Sequence, residues 1–185
     1  MINVFIIHGS YGNPEENWFP WMKRELENEG YFVAIPAFPT PEGQKLNMWL
    51  DKLKEYDNYF DENTILIGHS MGCALLLRKL ELLKNPVKAV FLIGGFTKDL
   101  WNGKYSSIID TFFEQPFDWH HIRDNSKHFE VYQSDNDPLV PVSMGKDIAK
   151  NLGVKLVKIK NAGHFNAAAG YTKFPRLLEN VKKLL

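Results

Sequence analysis

The sequence predicts an α/β fold in three layers, with a parallel β-sheet of about six strands between two layers of helices. Short segments that are apolar at nearly every position alternate along the chain with longer amphipathic segments. Strands of this composition are buried on both faces, as in parallel sheets, and the alternation places a helix in each connection. The chain has 185 residues and no repeat or flexible linker. We therefore expect a single domain over residues 1–185.

The predicted elements follow one another in a nearly regular order. Gly30 ends the first helix and Pro36 ends the second strand, because glycine commonly follows a helix and proline rarely continues a strand. The predicted strands are residues 4–7, 31–35, 64–67, 87–93, 129–133 and 155–159. The predicted helices are residues 20–29, 46–59, 71–83, 142–151 and 172–184.

One segment, residues 96–123, does not fit this alternation. It lies between the fourth and fifth strands, is rich in aromatic residues and contains the helix breaker Pro116. It is longer than a simple crossover between neighbouring strands needs to be. We expect residues 96–123 to form a small helical cap over the ends of the strands.

The most specific motif is Gly68-His69-Ser70-Met71-Gly72, a Gly-x-Ser-x-Gly sequence between the third strand and the helix after it. In that position the pattern is typical of the nucleophile elbow of a serine hydrolase. The turn is too tight for side chains at the glycines, and it holds the serine in strained backbone. Ser70 is therefore the predicted nucleophile.

A serine nucleophile needs a histidine base, and the base needs a carboxylate that fixes its tautomer. His164 directly follows the sixth strand, and Asp135 and Asp137 directly follow the fifth. The carboxyl ends of parallel strands share one edge of the sheet, and the order Ser, acid, His is that of such hydrolases. We favour Asp137 as the acid because a rigid turn at Pro138 follows it, whereas Asp135 is expected to cap that turn.

An oxyanion hole is expected from two backbone N–H groups. One comes from Met71, the residue after the nucleophile, at the positive end of its helix. The other comes from the loop after the first strand, where Ser10 is the first choice and Tyr11 the second. A structural interpretation of that loop, in which Gly9 and Gly12 only allow a tight turn, stays open.

The other conspicuous side chains are assigned structural roles. His120 and His121 are adjacent, so their side chains point apart, and we expect them at the surface and not on a metal. His69 and Cys73 are expected to pack inside the protein. For three tryptophans, core packing is favoured over lining an acyl pocket: Trp18, Trp21 and Trp49.

Composition and charge narrow the possible partners. Lys and Arg together number 22, as do Asp and Glu, so the net charge is zero and a nucleic-acid partner is not expected. No apolar stretch has the length of a membrane span, and residues 1–8 lack the features of a signal peptide. With one cysteine no internal disulfide can form, and we expect a cytoplasmic protein without membrane contact. No motif for a metal or a cofactor is present, so none is predicted.

Together these motifs resemble the α/β-hydrolases, and among them the small family grouped with retinoblastoma-binding protein 9. The likeness covers nearly the whole chain and includes the elbow, residues 134–141 and the Gly-His-Phe of residues 163–165. Its most selective part is Phe-Glu-Gln-Pro-Phe-Asp-Trp at residues 113–119. The resemblance implies a compact α/β-hydrolase that lacks the usual first two strands and acts on small esters or amides, with aminopeptidase-like activity among the options. It also implies a triad of Ser70, Asp137 and His164.

The Leu-x-Cys-x-Glu motif behind that family's name is absent, so no retinoblastoma-type partner is implied. The sequence thus predicts a serine hydrolase that cleaves a small carboxylic ester or amide through an acyl-enzyme. Two alternatives stay open. One is a catalytically weak protein-binding module with this fold, and the other is an acyltransferase that uses an acceptor other than water. The natural substrate and any protein partner are not specified.

Overall fold

The structure is a computed structural model that describes residues 2–185. Within this range six strands form one sheet in the order β2-β1-β3-β4-β5-β6, and every neighbouring pair is parallel. This confirms the predicted fold class. The strands are β1 (Asn3–Ile7), β2 (Phe32–Ala34), β3 (Thr64–His69), β4 (Ala89–Ile93), β5 (Phe129–Ser134) and β6 (Leu156–Ile159).

The α-helices of the described chain, seven in number, cover the sheet on both faces. The helices are α1 (Phe19–Glu27), α2 (Leu46–Lys54), α3 (Met71–Leu80), α4 (Ser106–Phe113), α5 (Trp119–Asp124), α6 (Val142–Leu152) and α7 (Pro175–Lys182). Side chains of α1 and α7 form one hydrophobic core with alternate residues of the strands, including Ile6, Ile67 and Phe91. The other helices form a second core on the opposite face, with strand residues such as Phe5 and Leu92. The two cores make the three layers that the apolar strands predict.

Some predicted boundaries differ from those of the structure. The helix predicted to run to residue 59 ends at Lys54, and a separate 3-10 turn follows at Asp57–Tyr59. The helix predicted to begin at residue 172 begins at Pro175, which is suited to the first helical turn because its ring fixes the backbone there.

The order of the strands places a crevice at the carboxyl ends of β1 and β3. The chain passes from β1 to β2 on one side and then to β3 on the other side of β1. At such a point the connections leave the sheet in opposite directions, and the crevice between them is where open α/β sheets bind ligands. Gly9 lies in the loop after β1 and Ser70 directly follows β3.

The segment of residues 96–123 contains α4 and most of α5. Two hydrogen bonds hold α4 against the loop before α2: the Gln44 side-chain amide donates to the carbonyl of Ile108 at 2.9 Å, and the Leu46 N–H donates to Thr111 Oγ1 at 2.9 Å. The short helix α5 packs beside α3 and α6 instead. Only the first part of the segment therefore lies near the crevice.

Arg78, on α3, fastens the stretch between α4 and α5. Its side chain is 7% exposed, and Nε donates to the carbonyl of Phe112 at 3.0 Å. The guanidinium lies 3.8 Å from the centre of the Phe117 ring, and Nη1 forms an ion pair with Glu81 at 3.0 Å. Buried charge is stable only when it is paired in this way. The helix that directly follows Ser70 thus also anchors residues 96–123, called the cap segment below.

Candidate active site

Ser70 lies at a strained turn between β3 and α3. Its backbone has φ 55° and ψ −123°, a conformation that is costly for a residue with a side chain. A Cβ atom at Gly68 would lie 3.0 Å from the backbone nitrogen of Cys73, and one at Gly72 would lie 2.7 Å from the carbonyl oxygen of His8. Backbone cannot move aside as a side chain can, so both glycines are needed for the turn. The Ser70 side chain is left partly exposed at its tip.

His164 and Asp137 form a hydrogen-bonded pair. The Nδ1 atom of His164 lies 2.8 Å from Oδ2 of Asp137, whose side chain is 0% exposed. The other carboxylate oxygen accepts the N–H groups of Leu139 at 2.8 Å and Val140 at 3.0 Å. With Oδ1 held by two backbone donors, Oδ2 is aimed at the histidine. The carboxylate therefore fixes the ring with Nδ1 protonated and leaves Nε2 as the basic nitrogen.

Gln133 also contacts this carboxylate and was not foreseen from the sequence. Its side chain is fully buried at the end of β5, and Nε2 donates to Asp137 Oδ2 at 3.2 Å and to the carbonyl of Val140 at 2.9 Å. Within residues 2–185 its Oε1 is the only buried side-chain polar atom without a partner. Gln133 thus shares the oxygen that holds His164 and also orders the turn after Asp137.

The prediction that Asp135 caps the turn at Pro138 is wrong. Its Oδ1 accepts the N–H of Asn161 at 2.8 Å, which belongs to the loop that carries His164. Asp137 itself caps the turn, because the turn's N–H groups point at its buried carboxylate. The prediction divided the two roles between the two aspartates, whereas Asp137 fills both, because one carboxylate oxygen caps the turn and the other faces His164.

Two further side chains join the loops after β5 and β6. Ser134 Oγ accepts the N–H of Ala162 at 3.0 Å, and Asn136 Oδ1 accepts the N–H of Gly163 at 2.8 Å. With the bond from Asp135, three consecutive residues, from the end of β5 into the loop after it, hold three consecutive backbone amides of the loop after β6. Asp137 and His164 are therefore carried by segments that are bonded to each other, in addition to the contact between the two side chains.

Ser70 and His164 line the same pocket, which has a volume of about 320 Å³. The Nε2 atom of His164 has no hydrogen-bond partner in the described part of the chain, and it is not among the buried unpartnered atoms, so it faces the pocket. The hydroxyl of Ser70 and the ring are not joined by a hydrogen bond. The structure thus brings Ser70 and His164 to one pocket, with Asp137 buried next to the histidine ring and outside the pocket lining.

The loop after β1 lies directly against Ser70. A Cβ atom at Gly9 would lie 2.7 Å from Cβ of Ser70. The N–H of Tyr11, the second choice for the oxyanion hole, donates to Thr40 Oγ1 at 2.7 Å and is not free. The N–H groups of Ser10 and Met71 have no acceptor among the residues that the structure describes. Both predicted N–H groups are therefore available as donors.

Two buried histidines support the site without facing it as bases. Burial lowers the pKa of His69 to about 3, helped by the neighbouring His164, so its ring is neutral and donates through Nε2 to the carbonyl of His164 at 2.8 Å. Burial also lowers the pKa of His8, whose Nε2 accepts the N–H of Phe38 at 3.0 Å. Packing of His69, expected from the sequence, therefore includes a hydrogen bond to the loop that carries His164.

The remaining candidates have the structural roles that the sequence predicts. His120 and His121 are exposed, and each lies 3.1 Å from a nearby aspartate. Cys73 is buried, and burial raises the pKa of its thiol. The three tryptophans of the sequence prediction do not line the pocket, and Trp18 and Trp49 are fully buried in the cores. The aromatic wall of the pocket comes instead from the first part of the cap segment: Phe96, Trp101 and Tyr105.

Over residues 2–185 no group of three or more His, Cys, Asp or Glu side chains has a geometry that could hold a metal ion. In that same range none of the helices combines the length and the apolar character required to cross a membrane.

Comparisons of the sequence with known proteins identify a family and two relatives that agree with one another. The sequence model of the family described as serine hydrolase matches residues 4–183. The chain is 36% identical over 174 residues to the Bacillus subtilis protein YdeN, a hydrolase by name, covering 93% of this chain and 90% of YdeN. It is 31% identical over 169 residues to the serine hydrolase RBBP9 of Rattus norvegicus, covering 91% of this chain and 86% of RBBP9.

Solved structures agree with these sequence relatives. The crystal structure of the ydeN gene product from B. subtilis matches with a TM-score of 0.92 at 33% identity, over 100% of this chain and 98% of that one. The structure of Est1E from Butyrivibrio proteoclasticus matches with a TM-score of 0.72 at 18% identity, over 98% of this chain and 86% of that one. The second likeness concerns the fold alone.

Proposed function

Since this chain belongs to the serine hydrolase family, we propose that it cleaves a carboxylic ester or amide of a small substrate, with Ser70, His164 and Asp137 as its catalytic triad. The observation that carries the proposal is the 2.8 Å contact between the buried Asp137 and His164, whose ring lines the same pocket as Ser70. A histidine held with Nδ1 protonated can accept a proton only at Nε2, the atom that faces the pocket. The pair is therefore oriented to act on a group inside the pocket.

In the first step Nε2 of His164 takes the proton of the Ser70 hydroxyl as Ser70 Oγ attacks the substrate's carbonyl carbon. The imidazolium that forms is stabilised by the buried Asp137 carboxylate beside it. The strained backbone of Ser70 presents the hydroxyl at the tip of a turn, where little side-chain movement is needed for attack.

The negative charge on the carbonyl oxygen is held by the N–H groups of Ser10 and Met71. Both donors are free, and Met71 begins α3, where the helix dipole favours an anion. Collapse of the tetrahedral intermediate then releases the alcohol or amine, which takes the proton from His164, and leaves an acyl group on Ser70. Water activated by His164 releases the acid by the reverse sequence of proton transfers.

The walls of the pocket support an apolar group on the substrate. Its aromatic and aliphatic side chains come from the cap segment and from the turn after Asp137, including Trp101, Ile109 and Val140. Apolar walls with a few placed polar groups are typical of small-molecule sites. An ester or amide with a small or medium apolar substituent is thus the substrate class that we propose.

Reaction with a fluorophosphonate probe, followed by peptide mass spectrometry, tests the nucleophile. We expect one label, on Ser70, that is lost in Ser70→Ala and kept in Ser143→Ala, which changes an exposed serine of α6. Hydrolysis of p-nitrophenyl acetate and butanoate should follow the same pattern. Labelling elsewhere, or turnover by Ser70→Ala equal to that of the wild type, would contradict the proposal. Analysis of products with added alcohols or amines separates hydrolysis from acyl transfer.

A further inference from the structure

The pocket has an uneven distribution of charge. Glu16 is the only acidic side chain that lines it within the described residues, and no lysine or arginine lines it there. The neutral amides of Asn17 and Asn166 also line the pocket, whereas the cap segment contributes mainly aromatic and aliphatic side chains such as Phe96 and Ile109. Among the described residues, Glu16 is therefore the only lining side chain with a carboxylate that can pair with a positively charged group of a substrate.

The Glu16 carboxylate has no cationic partner in residues 2–185. Its Oε1 accepts the side-chain amide of Asn17 at 3.1 Å, and its Oε2 lies 3.5 Å from the amide of Asn13. The residue is partly buried, and burial raises the pKa of the carboxyl. A partly desolvated carboxylate with only neutral donors has unused capacity to bind a cation.

Glu16 is separated from the nucleophile only by the glycine loop after β1. A Cβ atom at Gly12 would lie 2.7 Å from Glu16 Oε1 and 3.0 Å from the carbonyl oxygen of Gly9. A Cβ atom at Gly9 would in turn lie 2.7 Å from Cβ of Ser70. The carboxylate and the hydroxyl thus lie on either side of one tight loop and line one pocket, so a small substrate can reach both.

We propose that Glu16 binds a positively charged group of the substrate, so that the preferred esters or amides carry an ammonium group a few bonds from the carbonyl that Ser70 attacks. The inference rests on the proposed function and names the substrate class of the same site. An ammonium group on the Glu16 side leaves the apolar part of the substrate against the cap wall. The negative carboxylate also disfavours substrates that carry a carboxylate or phosphate in that position.

Matched ester pairs test this subsite, because the members of each pair have the same shape and differ in charge. For the acyl side, the pair is the p-nitrophenyl esters of trimethylglycine, which is cationic, and of 3,3-dimethylbutanoic acid, which is neutral. For the alcohol side, the pair is the acetates of choline and of 3,3-dimethylbutanol. The quantity measured is the ratio of kcat/KM for the cationic ester to that for its neutral partner. Differences in intrinsic reactivity cancel when this ratio is compared between variants.

In Glu16→Gln the ratio is expected to fall about tenfold or more for at least one pair, since the carboxylate's attraction is lost while the side chain keeps its size. Glu16→Asp, which retains the charge, should keep part of the preference. Glu15→Gln is the matched control: it makes the same change on the exposed neighbouring residue outside the pocket, and its ratio should equal that of the wild type.

The results distinguish failure of the cation subsite from failure of the proposed function. A ratio that is the same in Glu16→Gln and wild type for both pairs, with Ser70 labelled by the fluorophosphonate, overturns the cation subsite alone. Absence of labelling and of turnover for all four esters overturns the proposed function and this inference with it. Thermal unfolding of each variant shows whether a change in the ratio accompanies a change in the fold.

Discussion

The imidazole of His164 and the carboxylate of Asp137 lie 2.8 Å apart, and the carboxylate is completely enclosed by protein. The enclosure matters because a solvated carboxylate would stabilise the imidazolium far less in the step where the charge develops. The two carboxylate oxygens have different partners, since one binds backbone N–H groups of the turn and the other faces the histidine.

Asp137→Asn is expected to lower kcat for p-nitrophenyl acetate by about 10⁴-fold. The amide can hold His164 in the wrong tautomer, with Nε2 protonated and unable to act as base. The fold should persist, as judged by circular dichroism. Asp135→Asn is the comparison, because it alters a nearby loop bond and not the pair. A loss of kcat in Asp135→Asn as large as that in Asp137→Asn would exchange the roles assigned to the two aspartates.

Gly9→Ala should damage catalysis more than stability. The added methyl group would lie 2.7 Å from Cβ of Ser70 and 3.1 Å from its hydroxyl oxygen. A displacement of the nucleophile by about 1 Å is expected to cost roughly 100-fold in kcat. Gly30→Ala is the control: it has a φ of +86° and no neighbouring atom within 4 Å, so it should lower stability without lowering kcat. Equal kcat values for Gly9→Ala and the wild type would contradict the prediction, because they would show that the loop moves to accommodate the methyl group without displacing Ser70.

Because His69 is buried, we expect the folded protein to lose stability in mild acid. Its pKa is about 3 in the folded protein, mainly because of burial, and near 6.5 in the unfolded chain. As the pH falls from 6.5 to 4.5, the unfolded chain binds a proton there that the folded protein does not. The free energy of unfolding should therefore fall by about 2–3 kcal/mol from this residue.

The test compares the wild type with His69→Gln, which does not titrate and can still donate to the carbonyl of His164. Urea denaturation at pH 6.5 and at pH 4.5 gives the two changes in free energy. The variant should lose less stability over this interval, while other groups such as His8, whose pKa is also lowered, affect both proteins alike. Equal losses would show that His69 does not carry the predicted pH dependence.

Arg78→Met should destabilise the cap segment. The change removes the ion pair with Glu81 and leaves the carbonyl of Phe112 without its donor. Losing one partner of a buried pair costs about 3–5 kcal/mol, because the other stays buried. Hydrogen exchange should increase first around residues 112–117. Arg123→Met, an exposed arginine on α5, is the matched control and should change stability by less than about 1 kcal/mol. Equal rates of hydrogen exchange around residues 112–117 in the two variants would contradict the anchoring role of Arg78.

The parts that were predictable from the sequence are those governed by regular patterns. Apolar strands on both faces specify a buried parallel sheet, and the glycines around Ser70 specify a turn that no other residues fit. What could not be predicted depends on the paths of loops in space. The contact of Gln133 with Asp137, the bond of Asp135 to the loop after β6 in place of the predicted turn cap, and the exposure of Glu16 to the pocket all arise from loop conformations that no local pattern determines.

The three bonds from residues 134–136 to residues 161–163 restrict where this protein can vary. An insertion or deletion in either loop would shift one set of partners out of reach of the other and separate the base from its acid. Relatives with altered substrate range should therefore have changed the length of the stretch between β4 and β5, which carries pocket walls but none of these bonds. Engineering of substrate specificity should likewise begin with the stretch between β4 and β5.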